Sequence, residues 1–124
     1  MIGLTLDAGA LIALERRHGR VTQLLRRAAE RRAPTTVPVV AITEWWRGRT
    51  DWREQIRNSV EVEPMDEALA RMAGEAIGAL KGATAIDAIV VASAARRGDV
   101  VLTSDPDDLA RLAHYFGGVR VVAV

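Results

Sequence analysis

The segment AIDAIVVASAA, residues 85–95, constrains the fold more than any other part of the chain. Only Asp87 and Ser93 in it are not apolar. A helix that is apolar all round is a buried helix, so the rest of the chain must cover it. With 124 residues the chain fits a single domain, residues 1–124, and is long enough to bury such an element. Apolar residues at 49% and charged residues at 27% are the proportions of a folded globular protein and argue against disorder.

Short apolar runs alternate with helical periodicity on either side of that element. The pattern predicts strands at residues 2–6, 35–37, 60–62, 100–103 and 119–122. It predicts helices over 8–17, 20–32, 38–47, 51–59, 66–80 and 85–97, and a last one opening at Pro106. Gly19, Pro34, Gly82 and Gly98 supply the breaks. Strands that alternate with helices build a parallel sheet covered on both faces, so the fold class is α/β, in one compact unit without repeats or linkers. No run approaches 18 uninterrupted apolar residues, so no membrane span is expected, and the first apolar run, interrupted at Asp7, does not read as a targeting signal.

Several acids fall where acids are costly. Asp7 and Asp105 each close a predicted strand and open a helix, at the sheet edge where open α/β folds place their ligands. Either is a good helix N-cap by itself, and Pro106 with Asp108 completes a capping pattern after Asp105. Glu44 lies four residues after Val40 and three after Ala41, on the apolar side of its helix, and needs a partner such as Arg47 or Arg49, or a cation. Asp87 is the one charge in the apolar helix; a Thr84–Asp87 capping box accounts for a first-turn acid, not for a charge in so apolar an element. Asp51 and Glu54 have the spacing of another capping box.

Four carboxylates on four segments repel one another unless something positive lies between them. The chain has no cysteine and two histidines, His18 and His114, both read as surface side chains. An all-oxygen ligand set favours a hard cation, Mg²⁺ or Mn²⁺, and a carboxylate-held Mg²⁺ commonly takes a phosphate oxygen as a further ligand. The chemistry to expect is that of phosphate esters. The absence of cysteine is compatible with a reducing, cytoplasmic setting.

Four segments in order, LTLDAGALIAL with Asp7, VPVVAITEWWRG with Glu44, ATAIDAIVVASAARRGD with Asp87 and VVLTSDPDDLARL with Asp105, resemble the PIN-domain ribonucleases. Among these the chain is most similar to the small VapC-type toxins of bacterial toxin–antitoxin pairs. The resemblance spans the whole chain. It implies a three-layer α/β/α PIN-like fold with a short central parallel sheet. It also implies a Mg²⁺- or Mn²⁺-dependent endoribonuclease acting on tRNA or rRNA, a cognate antitoxin and a homodimer. By the same resemblance Asp7 and Asp87 hold the metal most directly, and Glu44 and Asp105 complete the catalytic pocket. Thr103 matches a hydroxyl residue of the family, Asp108 supports or replaces Asp105, and Asp107 faces solvent.

Sixteen of the seventeen basic residues are Arg, a side chain suited to phosphate. Arg16, Arg17, Arg20, Arg47, Arg49, Arg96 and Arg97 are candidates to hold an RNA backbone. Trp45, Trp46 and Trp52 either stack on bases or fill the core or an interface. Other Mg²⁺-dependent phosphoryl-transfer families fit poorly: Gly9 stands where a haloacid-dehalogenase-type phosphatase has its second Asp, and GEAIGALKG lacks the spacing of a P-loop. A catalytically silent PIN-like module that binds a partner, and a housekeeping PIN nuclease without an antitoxin, are the alternative readings.

Overall fold

The structure, a computed structural model, describes residues 2–124. Its strands are β1 (Leu4–Leu6), β2 (Thr35–Pro38), β3 (Glu61–Glu63), β4 (Val100–Thr103) and β5 (Val121–Ala123). They form one five-stranded, wholly parallel sheet in the order β3-β2-β1-β4-β5. The helices are α1 (Ala8–Glu15), α2 (Gly19–Glu30), α3 (Val39–Trp45), α4 (Asp51–Asn58), α5 (Glu67–Ala79), α6 (Ala85–Arg97) and α7 (Pro106–Tyr115). One core joins α1 to α4 with one side of the sheet through Leu6, Leu11, Val21, Val37, Trp45 and Ile56. A second, on the other side, joins α5, α6 and α7 through Leu69, Val90, Val91, Leu109 and Leu112. This is the expected three-layer α/β/α arrangement.

The apolar helix is buried as its composition requires. Residues Ala88 to Ala94 of α6 are all buried, covered by α5, α7, α3 and the strands β1, β2 and β4. The run ends at Gly98, whose left-handed φ of 75° is a conformation glycine adopts at no steric cost. Ser93, the second polar residue of the run, is fully buried and donates to Glu63 Oε1 at 2.6 Å. Glu63 belongs to a network that closes the carboxyl end of α6. Arg97 contacts Glu63, donates to Asp99 Oδ2 at 2.9 Å and to Thr5 Oγ1 at 2.8 Å, and Thr5 donates to Asp99 at 2.9 Å. Arg96 grips both carboxylate oxygens of Asp66, at 3.2 and 3.0 Å. Arg96, which is exposed, and the half-buried Arg97 are therefore both engaged by carboxylates of the fold.

Several boundaries differ from the sequence expectation, each for a local reason. Pro38 is the last residue of β2, not the first of a helix; its missing N–H costs little at a strand end. The first helix stops at Glu15 because Arg17 turns left-handed, with φ 59°, and Gly19 begins α2 instead of separating the two. Thr50, not Asp51, caps α4 by accepting from Arg53 N at 3.1 Å. The third and fifth strands sit one or two residues later than expected. Among the described residues no helix is long and apolar enough to cross a membrane.

Candidate functional site

Strand order places the site. β1 and β4 are neighbours in the middle of the sheet, yet the chain leaves β1 toward β2 and leaves β4 toward β5. The carboxyl ends of two such strands diverge at a switch point, and the crevice there is where open α/β sheets bind ligands. Asp7 follows β1 directly, and Asp105 follows β4 after Ser104. Asp87 enters from the first turn of α6 and Glu44 from α3.

Asp7 is half-buried and caps α1, Oδ1 accepting from Ala10 N at 2.8 Å. Burial raises its pKa above the ordinary Asp value; hydrogen bonds from Thr103 and Ala10 act against this, and the charges of Asp87 and Glu44 push it up further. The four segments therefore bring three of these carboxylates within electrostatic reach of one another. Thr103 is 1% exposed, and its hydroxyl works in two directions. It hydrogen-bonds Asp7, and its oxygen accepts from the Asp105 backbone N at 3.0 Å. That single side chain ties the end of β1 to the turn after β4.

The turn itself departs from the simple cap. Asp105 occupies the N-cap position of α7, with Pro106 following it, but its side chain accepts no capping hydrogen bond. Asp108, one turn on, lies against it. Its pKa is raised, first by hydrogen bonding with Asp105, then by the charges of Asp105, Asp87 and Asp107. Asp87 lines a cleft of about 330 Å³ with Asp107, Asp108, Thr84 and Arg111. On the opposite side of the turn Gly9 meets Ser104 so closely that a Cβ there would fall 3.1 Å from Ser104 Cβ and 3.3 Å from its backbone N. The absence of a side chain at Gly9 lets α1 start against the β4 turn.

The ion pairs give the sharpest contrast. Among the described residues, the seven pairs engage Glu15, Asp51, Glu63, Asp66, Glu67 and Asp99. None engages Asp7, Glu44, Asp87, Asp105 or Asp108. The protein carries sixteen arginines, yet among the described residues no ion pair reaches the acids at the strand-end crevice; Arg111, which lines the cleft beside Asp87 and Asp108, donates to the Lys81 carbonyl. Arg47, a candidate partner of Glu44, donates to the carbonyls of Thr43 and Trp46, and Arg49 pairs with Asp51.

One expectation needs correction. Glu44 is exposed, not buried on an apolar face: Ala41 and Trp45 take the buried stripe of the short α3 and turn Glu44 outward. Asp87 is half-buried at the end of the apolar helix, and its backbone N donates to Thr84 Oγ1 at 3.3 Å, so the cap exists as well. Among the described residues no three His, Asp or Glu side chains converge tightly enough to enclose an ion. The donor set nevertheless suits a hard divalent cation, since it is all carboxylate, enters no ion pair among the described residues and holds two of its members above the ordinary Asp pKa, Asp7 first by burial and Asp108 first by hydrogen bonding with Asp105.

The tryptophans serve structure. Trp45 is buried and donates to Glu15 Oε1 at 2.9 Å, Trp52 donates to the Glu15 carbonyl at 2.9 Å, and Arg17 lies 4.1 Å over the Trp52 ring. Arg53 completes the cluster on Glu15 at 3.0 Å and holds that carboxyl below its usual value. Sequence reasoning missed this cluster, because Glu15 and Arg53 lie in different helices with no spacing to relate them.

The PIN domain family matches residues 4–115. No curated protein sequence matches the chain. Among solved structures, a chain of DNA-bound VapBC from Salmonella typhimurium is similar at TM-score 0.76 and 15% identity, over 99% of this chain and 98% of that one. A chain of FitAB bound to an IR36 DNA fragment is similar at TM-score 0.71 and 18% identity, over 97% and 94%. A chain of a toxin–antitoxin complex from Klebsiella pneumoniae follows at 0.67 and 16%, over 98% and 97%. At these identities the likeness is one of fold.

Proposed function

The chain belongs to the PIN-domain family, and from that premise we propose that it is a Mg²⁺- or Mn²⁺-dependent endoribonuclease, the toxin of a toxin–antitoxin pair. The observation that carries the proposal is the set of carboxylates without cationic partners at the β1/β4 switch point. Structural likeness to chains of toxin–antitoxin complexes supports the toxin assignment over its full length. The same reading expects a cytoplasmic homodimer, a cognate antitoxin and a tRNA or rRNA substrate.

Asp7 and Asp87 would hold the cation most directly, with Glu44 and Asp105 completing the pocket and Asp108 sharing the duty of Asp105. When bound, such a cation supplies Lewis-acid activation of water and offsets charge at the phosphoryl oxygens. The chain's own contribution is placement. The Ala10 N–H holds Asp7 Oδ1 in one orientation, and Thr103 fixes Asp7 relative to the Asp105 turn. Glu44, exposed and unpaired, can accept a proton from a water on the solvent side of the crevice. Asp108 lies one turn after Asp105, where the nearby Asp105 carboxyl raises its pKa above the ordinary Asp value. No side chain here is placed as a covalent nucleophile.

Purified protein should cleave structured RNA with Mg²⁺ or Mn²⁺ and not with EDTA, and Asp87→Asn should abolish cleavage while keeping the fold. If Asp87→Asn cut as well as the parent, with contaminating nuclease excluded, the metal-site reading would fail. Growth arrest on expression, relieved by co-expression of a neighbouring small gene, tests the toxin assignment separately from the nuclease one.

A further inference from the structure

A second cleft, of about 270 Å³, shares Gly9 and Ser104 of the same turn and is lined by none of the site acids. Gly9, Ile12 and Ala13 of α1 line it with Arg16 at the C-cap of that helix, His18, Ser104 and Val124. The spacing 9, 12, 13, 16 is one stripe of a helix, so the groove follows α1 from the carboxyl edge outward. Seven residues at the helical rise span about 10 Å.

Its charge is opposite to that of the acidic cleft. No Asp or Glu side chain lines it, while Arg16 and His18 do. Among the described residues Arg16 forms no ion pair, and its neighbour Glu15 is already held by Arg53 and by Trp45. Arg20, the second residue of α2, donates Nε to the carbonyl of Ala123, next to the lining residue Val124, at 2.7 Å. An extended polyanion threaded past the acids would meet this basic end next. An acidic protein segment would satisfy the same cations, but only a nucleic-acid strand also has business at the acids where the groove begins.

We propose that the groove along α1, ending at Arg16 and His18, holds a phosphodiester of the RNA strand flanking the one to be cut. The proposal rests on the nuclease reading and adds to it the direction in which the strand leaves the crevice. Arg16 and His18 are positioning residues, since they touch the backbone and not the reacting phosphate.

The test measures binding of a fluorescent single-stranded RNA of mixed sequence, about 12 nucleotides long, by anisotropy in EDTA over a range of salt. Arg16→Ala should weaken binding roughly tenfold and reduce the slope of log K against log salt by about one. Arg16→Lys should restore the slope. Arg57→Ala, at an exposed position of α4 that forms no ion pair among the described residues, should change neither. His18→Ala should add to Arg16→Ala. If the parent bound and cut RNA while Arg16→Ala matched it in affinity and slope, this inference would be wrong and the nuclease reading would stand. If the parent neither bound nor cut RNA, both would fall. Unchanged RNA binding with a loss confined to poly-glutamate would reassign the groove to an acidic protein partner and overturn the proposal.

Discussion

Replacing Asp7 by Asn should inactivate the protein and stabilise it. Asn caps a helix about as well as Asp, so the hydrogen bond from Ala10 N survives, and with it a contribution of about 1 kcal/mol. What disappears is a partly buried charge that Asp87 and Glu44 repel. Removing an unfavourable charge of this kind is worth about 0.5–2 kcal/mol. With unfolding entropy near ~2.1 cal/mol/K per residue, a 124-residue chain gains about 4 °C in Tm per kcal/mol. The expected rise is therefore about 2–8 °C at pH 7 in EDTA, read by calorimetry or dye fluorescence. Asp7→Ala should fall below Asp7→Asn by the value of the cap.

The pH dependence of that gain has a definite sign. The folded-state pKa of Asp7 is raised, so the folded protein holds the proton more tightly than the unfolded chain does. The penalty in the parent is fully present above the folded pKa and vanishes below the unfolded value of 3.8. The advantage of Asp7→Asn should shrink as pH falls through this window. A divalent cation should narrow it from the other side, since binding at ten times Kd stabilises the parent by about 1.4 kcal/mol and should do less for the variant. A variant no more stable than the parent in EDTA would refute the charge argument. An equal response of both proteins to Mg²⁺ would remove Asp7 from the metal site.

Arg97→Met removes the cation shared by Glu63, Asp99 and Thr5; with Asp99 buried, the loss should be about 3 kcal/mol or more, measured by urea unfolding. Glu63 contributes with the opposite pH sign to Asp7. Burial alone would raise its pKa, but the Ser93 hydroxyl and the Arg96 and Arg97 guanidinium groups bring it below the ordinary Glu value. Its contribution is present above the unfolded value of 4.5 and is lost as pH falls through the folded pKa, so Glu63→Gln should flatten acid unfolding. Gly9→Ala should cost about 1–3 kcal/mol by crowding Ser104, and Ser104→Gly in the same chain should recover part of it, a coupling readable from a double-mutant cycle. Asp108→Asn should leave the fold intact and lower metal-dependent cleavage less than Asp87→Asn does, since Asp105 remains.

Much of the architecture was written locally. Helical periodicity, the capping residues Asp7, Asp66 and Thr84, and the all-apolar run of α6 act over one or two turns, so the α/β class and the element order could be read directly. The acids at strand ends were visible for the same reason: a strand that stops at an Asp before a helix fixes the edge of the sheet to which that Asp belongs. Glu44 was misjudged because periodicity in a helix of seven residues does not say which side faces the core.

Tertiary structure alone decided which charges would find partners. Arg97 meets Glu63 across 34 residues, Arg53 meets Glu15 across 38, and Thr5 meets Asp99 across 94. Such pairings depend on strand order and helix docking, which no local pattern encodes. The sequence determined by itself that Asp7, Glu44, Asp87 and Asp105 exist on separate elements of an α/β chain. Only the folded chain decided that the arginines would neutralise Glu15, Glu63, Asp66 and Asp99 and, among the described residues, leave Asp7, Glu44, Asp87 and Asp105 outside every ion pair. Caps and periodicity are short-range, whereas charge compensation is settled by whichever groups the packed layers bring within a few ångströms.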